Sequence, residues 1–198
     1  MPMMRRPAAS SAASALDTYL VTVADHGRAA VAHLACVSAG LAALSGPRHG
    51  GACDRVEALV AETARPARAR DVVRDRSRRG ESVPGFGHPL YPQGDPRAGV
   101  LLAEARRQAP RPPQALQTLW ALVAAMSEAG QQAPTLDAGL VALSLALGLP
   151  GGSAAGLFAV GRSAGWIAHA LEQRAAGFLL RPRAHYVGGE PLAPNPLY

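Results

Sequence analysis

The sequence predicts an all-α fold, and three observations carry that reading. Ala and Leu recur at helical spacing along most of the chain, while alternating β-branched and aromatic runs are nearly absent. Apolar residues make up 48% of the chain and aromatics only 5%, so the core has to be built from Ala, Leu and Val. Clusters of Gly and Pro fall between the periodic segments, where helices end. The 198 residues suffice for one large or two small domains.

Taken in order, residues 1–12 read as a disordered N-terminus. A helical pattern follows from Ala15 to Leu44, with a break at Gly27 in "ADHGR". "SGPRHGGA" (Ser45–Ala52) is a turn cluster. A helix follows over Cys53–Ala64, with Asp54 and Glu57 placed in its first turn and Pro66 as its stop. An Arg-rich segment leads into the Gly/Pro stretch "PGFGHPLYPQGDPR". Helices are predicted over Arg97–Gln108 and over Gln114–Ala129, the second with Leu116, Leu119, Leu122 and Val123 on one face. "GQQAPTLD" enters a Leu/Ala core helix ending at Gly148. "LPGGSAA" turns into a long helix over Ala155–Ala176, and the Pro/Gly-rich tail is extended.

Charge and composition narrow the function. The net charge is +6 and the chain contains no lysine, so its basic character is carried by arginine. The densest basic run, Arg65 to Gly80, is interleaved with Asp71 and Asp75 and lacks aromatics for base stacking. It reads as a solvated helical face, and no nucleic-acid partner is expected. Arginine also suits a bidentate grip on an anionic substrate. "AGLVALSLALGLPGG" approaches membrane-span character but is interrupted by Gly148 and Pro150, so no membrane association is expected. The N-terminal stretch, with Arg5 and Arg6 but no apolar segment behind them, does not resemble a secretory signal. Cys36 and Cys53 have no metal-ligand spacing. Both are read as reduced core residues of a cytoplasmic protein, with no metal expected.

Polar residues stand out at the ends of apolar helices. His49 lies in "GPRHGG", His88 and Arg97 in "GFGHPLYPQGDPR", and Asp137 in "PTLDAG". Arg162 and Arg181 interrupt apolar sequence, in "FAVGRSAGWI" and "FLLRPRAHYVG". A charged group in such a setting faces solvent or a bound anion. Bland roles compete: a turn hydrogen bond for His88, an N-cap for Asp137, an ion pair with Glu172 for Arg162. His33 and His169 sit within regular helical pattern and read as structural. Together, imidazoles, a carboxylate and guanidinium groups form an inventory for removing a proton, polarising a carbonyl and clamping carboxylates.

The blocks "SGPRHGGACDRVEAL", "GFGHPLYPQGDPRA", "PTLDAGLVAL", "GRSAGWIAHALEQ" and "RPRAHYVG" occur in the order found in the C-terminal half of citrate synthases. The resemblance runs from about Leu34 to Gly189. It implies a citrate synthase-like helical fold with a complete small domain over 52–136. Residues 13–51 and 137–198 would then be the remnants of a truncated large domain. By that resemblance His49 stabilises the enol of acetyl-CoA, Asp137 takes the methyl proton, and His88 polarises the ketone of oxaloacetate. Arg97, Arg162 and Arg181 bind its carboxylates, with Arg181 reaching a neighbouring subunit. His26, in "VTVADHGRAAVAHLACV", is the further oxaloacetate-binding histidine. Val83, Pro84, Gly85, Phe86 and Gly87 match a stretch that contacts coenzyme A. The implied reaction condenses acetyl-CoA with oxaloacetate to citrate and free coenzyme A in a homodimer. The coenzyme A thioester enters as co-substrate, and no permanently bound cofactor is expected. Alternatives are a 2-methylcitrate synthase, a citryl-CoA lyase relative, or an inactive or split-enzyme subunit that binds a separate N-terminal-half chain.

Overall fold

The computed structural model describes residues 27–46 and 50–178. Among these are seven α-helices: α1 (Gly27–Leu44), α2 (Gly51–Thr63), α3 (Ala69–Arg78), α4 (Pro96–Gln108), α5 (Gln114–Glu128), α6 (Leu136–Ala146) and α7 (Ser153–Ala176). A 3-10 turn, Pro66–Arg68, precedes α3. The described residues include no strand, only an isolated antiparallel bridge between Phe86 and Pro134. The all-α expectation holds, and most predicted helix boundaries fall within two residues of those found. The one-residue difference at the end of α2 has a local cause. The helix stops at Thr63, Ala64 takes a positive φ of 62°, and Pro66 opens the 3-10 turn instead of terminating the helix.

Helix α6 is the hub. It is apolar on nearly every face, so it must be covered all round, and it packs against α2, α4, α5 and α7. Ala138, Val141 and Ala142 have no exposed surface. The contact with α4 is close because Gly139 faces it. A Cβ there would stand 2.8 Å from Cβ of Leu101 and 3.4 Å from Cα of Ala98. Helix α5 adds Leu116, Leu119 and Leu122, all fully buried as their spacing predicts, while Val123 at the edge of that face is half-buried. Each buried leucine contributes on the order of 1.5–3 kcal/mol of transfer free energy. Val56, Leu59 and Val60 of α2 complete the same cluster.

Helix α3 is the basic run of the sequence. It buries Ala69, Val72 and Val73, exposes Arg70, Arg74 and Arg78, and keeps Arg76 half-buried. Acids pair with arginines of this run: Arg70 with Glu128, Arg74 with Asp71 and Asp75, Arg76 with Glu62 and Glu81, and Arg79 with Glu81. Helix α1 lies along α7, where buried His33 approaches Arg174, with 3.1 Å from Nε2 to Nη1. This pair leaves Leu34, Leu41, Val160, Leu171 and Phe178 exposed. The expectation that both cysteines are core residues is half right. Cys53 is buried, but Cys36 is exposed on α1, which packs chiefly against α7 and leaves much of its surface uncovered. Glu57 also departs from expectation. It lies beyond the first turn of α2, where its carboxylate accepts the backbone N–H of Gly152 at 2.9 Å and ties α2 to the entry of α7.

Candidate active site

The site is organised around the first turn of α6. Thr135, extended at φ −97° and ψ 173°, is the N-cap, and Asp137 lies in the first turn. There the unpaired N–H groups and the helix dipole favour a carboxylate. Asp137 is therefore not itself the cap. Its Oδ2 accepts the hydroxyl of Thr135 at 3.3 Å, and its Oδ1 accepts the thiol of Cys53 at 3.4 Å.

The Gly/Pro stretch before α4 is held against this turn by backbone bonds. Gly87 N–H donates to the Ala133 carbonyl at 2.9 Å, and Thr135 N–H donates to the Gly85 carbonyl at 2.8 Å. Val83 and Phe86 point into the core, while Pro84, Gly85 and Gly87 are half-buried. Gly85 needs its missing side chain twice over: φ is +84°, and a Cβ would stand 2.7 Å from Cγ2 of Val56. The turn is thus wedged between α2 and the start of α6. What it offers to a ligand is backbone rather than the side chains of Val83 or Phe86.

His88 emerges from this wedge. Its Nδ1 accepts the Leu90 N–H at 3.1 Å, so a neutral ring carries its proton on Nε2. The Tyr91 ring stands 5.0 Å from the imidazole, and the guanidinium of Arg97 lies 5.3 Å from the same tyrosine ring centre. Arg97 is fixed by Asp95, the N-cap of α4. This carboxylate accepts from the Arg97 backbone N–H at 3.0 Å, from Nε at 2.9 Å and from Nη2 at 2.8 Å. It also accepts the Leu136 N–H at 3.0 Å, joining α4 to α6 one residue before Asp137. The hydrogen-bonded guanidinium holds the Asp95 carboxyl below its ordinary range, and the carboxylate raises Arg97 in turn. Since Asp95 occupies the Nε edge, the opposite edge of the fork is open to a ligand.

His88, Arg97, Asp137 and Arg162 line one cavity of about 810 Å³, walled by Tyr91, Leu140 and Phe158. Arg162 is exposed on α7. Glu172, offered by the sequence as its partner, pairs instead with His169, and among the described residues no carboxylate pairs with Arg162. On its other side Asp137 borders a second cavity of about 300 Å³, with Ser45, Gly50, Cys53 and Asp54 in its wall. His26, His49 and Arg181 lie outside the described residues. Gly50, the chain neighbour of His49, approaches the end of α1 so closely that a Cβ would fall 2.0 Å from the Leu44 carbonyl oxygen.

Three residues of the site escaped the sequence reading. Asp95 had a signal, since Asp followed by Pro marks an N-cap and N1 pair. Thr135 had one too, as a Thr directly before an apolar helix, but Cys53 had none. Chemically, the cavity offers an acceptor-only carboxylate, an Nε2–H donor and two guanidinium groups, the donor set for a small dianion bearing a carbonyl. Among the described residues no three His, Cys, Asp or Glu side chains gather as metal ligands.

Residues 1–183 match the family model described as "Citrate synthase, C-terminal domain". The chain belongs to the citrate synthase family. It is 39% identical over 201 aligned positions to "Putative citrate synthase 2" of Mycobacterium tuberculosis, covering 91% of this chain and 53% of the relative. It is 31% identical over 158 positions to the 2-methylcitrate synthase of Shewanella oneidensis, covering 79% of this chain and 42% of that protein. Among solved structures it resembles the citrate synthase of Thermoplasma acidophilum in ternary complex with carboxymethyl coenzyme A and oxaloacetate. That match has a TM-score of 0.67 at 28% identity, covering 96% of this chain and 51% of the other. The chain thus spans about half the length of these relatives.

Proposed function

We propose that this chain supplies the reaction centre for condensing acetyl-CoA with oxaloacetate to citrate and coenzyme A. The observation that carries this reading is the convergence of Asp137, His88, Arg97 and Arg162 on one cavity in a member of this family. Asp137 removes a proton from the thioester methyl group, and His49 donates to the enol oxygen. Arg97 and Arg162 clamp the two carboxylates of oxaloacetate, with His26 and the neighbouring subunit's copy of Arg181 completing the grip. His88 donates from Nε2 to the ketone oxygen. The enol carbon then attacks the ketone carbon, a carbon–carbon bond forms, and the new alkoxide takes the proton from His88. Water cleaves the citryl thioester, releasing the thiol.

The physical logic is that of a weak acid met by a prepared electrophile. A thioester methyl gives up its proton only where the enolate oxygen meets a ready donor and water is held away. Closure of 52–136 over the remainder would exclude that water, and residues 83–87 would meet coenzyme A through their backbone. The exposed apolar face of α1 and α7 favours association, and we place it in a homodimer.

The test is thiol release by the purified 198-residue chain at saturating oxaloacetate. Acetyl-CoA should be turned over, and Asp137→Asn should lower kcat by about 10²–10⁴-fold with the far-UV spectrum unchanged. Propionyl-CoA assayed in parallel addresses the reading favoured by the 2-methylcitrate synthase relative: a higher kcat/KM for it would reassign the acyl donor. Absence of turnover with either thioester would refute catalysis by this chain alone and favour a binding subunit of a split enzyme.

A further inference from the structure

Cys53 is the one buried thiol among the described residues, and the condensation does not use it. It sits in the first turn of α2, four positions after His49, and only 2% of it is exposed. Its hydrogen-bond partner is 84 residues away, at the other end of the catalytic motif series. We propose that Cys53 is a positioning residue for Asp137, its thiol donating to Oδ1 while Thr135 donates to Oδ2. The inference rests on the role given to Asp137 above.

With one donor on each oxygen, the plane of the carboxylate is fixed in the wall that the two cavities share at Asp137. A thiol is suited to this task. It is a weak donor, so it orients the carboxylate while withdrawing less of its basicity than a hydroxyl or amide would. The donor is also permanent. A helix N-terminus commonly favours a thiolate, but here burial, then the neighbouring Asp137, Asp54 and Glu57 charges, push the thiol far above its ordinary range. The bond further couples α2 to the first turn of α6.

Two readouts test this separately from the reaction itself. Cys36→Ser leaves Cys53 as the sole thiol, because the chain has two cysteines. In that background the S–H infrared stretch should lie at the low frequency of a bonded thiol and rise in Asp137→Ala. An unchanged band in Asp137→Ala would show that no such bond exists and overturn the proposal, whatever the activity. For kinetics, Cys53→Ala should lower kcat about three- to tenfold with KM for oxaloacetate unchanged, and Cys53→Ser should restore most of the loss. Full kcat in Cys53→Ala would refute the positioning role alone. A loss that Cys53→Ser fails to restore, or one carried by KM, would assign the cysteine to packing. Absence of turnover in the unmodified chain would refute the proposed function and the positioning role with it.

Discussion

Asp95 joins more of this structure than any other polar side chain in the site, and removing it has a calculable effect. In Asp95→Ala two things are lost. The N-cap of α4 disappears, which costs about 0.5–2 kcal/mol. The Leu136 N–H loses its acceptor in a part-buried position, which costs about 1–3 kcal/mol. The ion pair with Arg97 adds little, because that guanidinium is 47% exposed and screened by solvent. The expected destabilisation is therefore about 1.5–5 kcal/mol, read as a lower urea midpoint at unchanged slope. Arg97→Ala should cost under about 1 kcal/mol of stability, since the backbone bonds to Asp95 persist.

The pH dependence supplies an independent check on Asp95. Its carboxyl is lowered in the folded chain, with the Arg97 hydrogen bond the leading cause, against about 3.9 in the unfolded chain. A group lowered by folding contributes its full stability above the unfolded value, and loses that contribution as pH falls through the folded one. The gap between wild type and Asp95→Ala should thus stay constant from about pH 8 to 5 and narrow below about pH 4. A destabilisation under about 0.5 kcal/mol, or a gap that persists unchanged in acid, would refute the view that this carboxylate ties α4 to α6.

Two core predictions follow from packing. Leu119→Ala, at a position with no exposure in the middle of α5, should destabilise by about 2–5 kcal/mol in urea unfolding. Gly139→Ala would gain helix propensity of up to about 1 kcal/mol on paper. The new Cβ meets Leu101 at 2.8 Å, so the net effect on thermal unfolding should be a loss of about 1–3 kcal/mol.

What was legible in the sequence divides along physical lines. Helices α4 to α7 could be read because periodicity and Gly/Pro stops act within one or two turns, and the burial of Leu116, Leu119 and Leu122 follows from the same spacing. His88, Arg97, Asp137 and Arg162 could be singled out because charged or imidazole groups beside apolar helices demand a reason. Their polar supports could not. Cys53 reads as a small core hydrophobe until Asp137 arrives beside it from 84 positions away. Asp95 announces the cap of its own helix but not its bond to Leu136, 41 positions on. Cys36 shows the converse failure: an apolar-looking neighbour on a helix whose face is left uncovered.

These long-range bonds share one destination. Asp95 reaches Leu136, Gly85 and Thr135 exchange a backbone bond, and Cys53 reaches Asp137, so all three fall within the N-cap and first turn of α6. Three separate segments are thereby registered on a single helix end, whose own dipole already favours the carboxylate it carries. A displacement of any of them moves Asp137 relative to His88 and Arg97. This gives the turns that precede α4 and α6 a role beyond ending one helix and starting the next. Those turns set the distances on which the proposed chemistry depends, and the helices serve to hold them still.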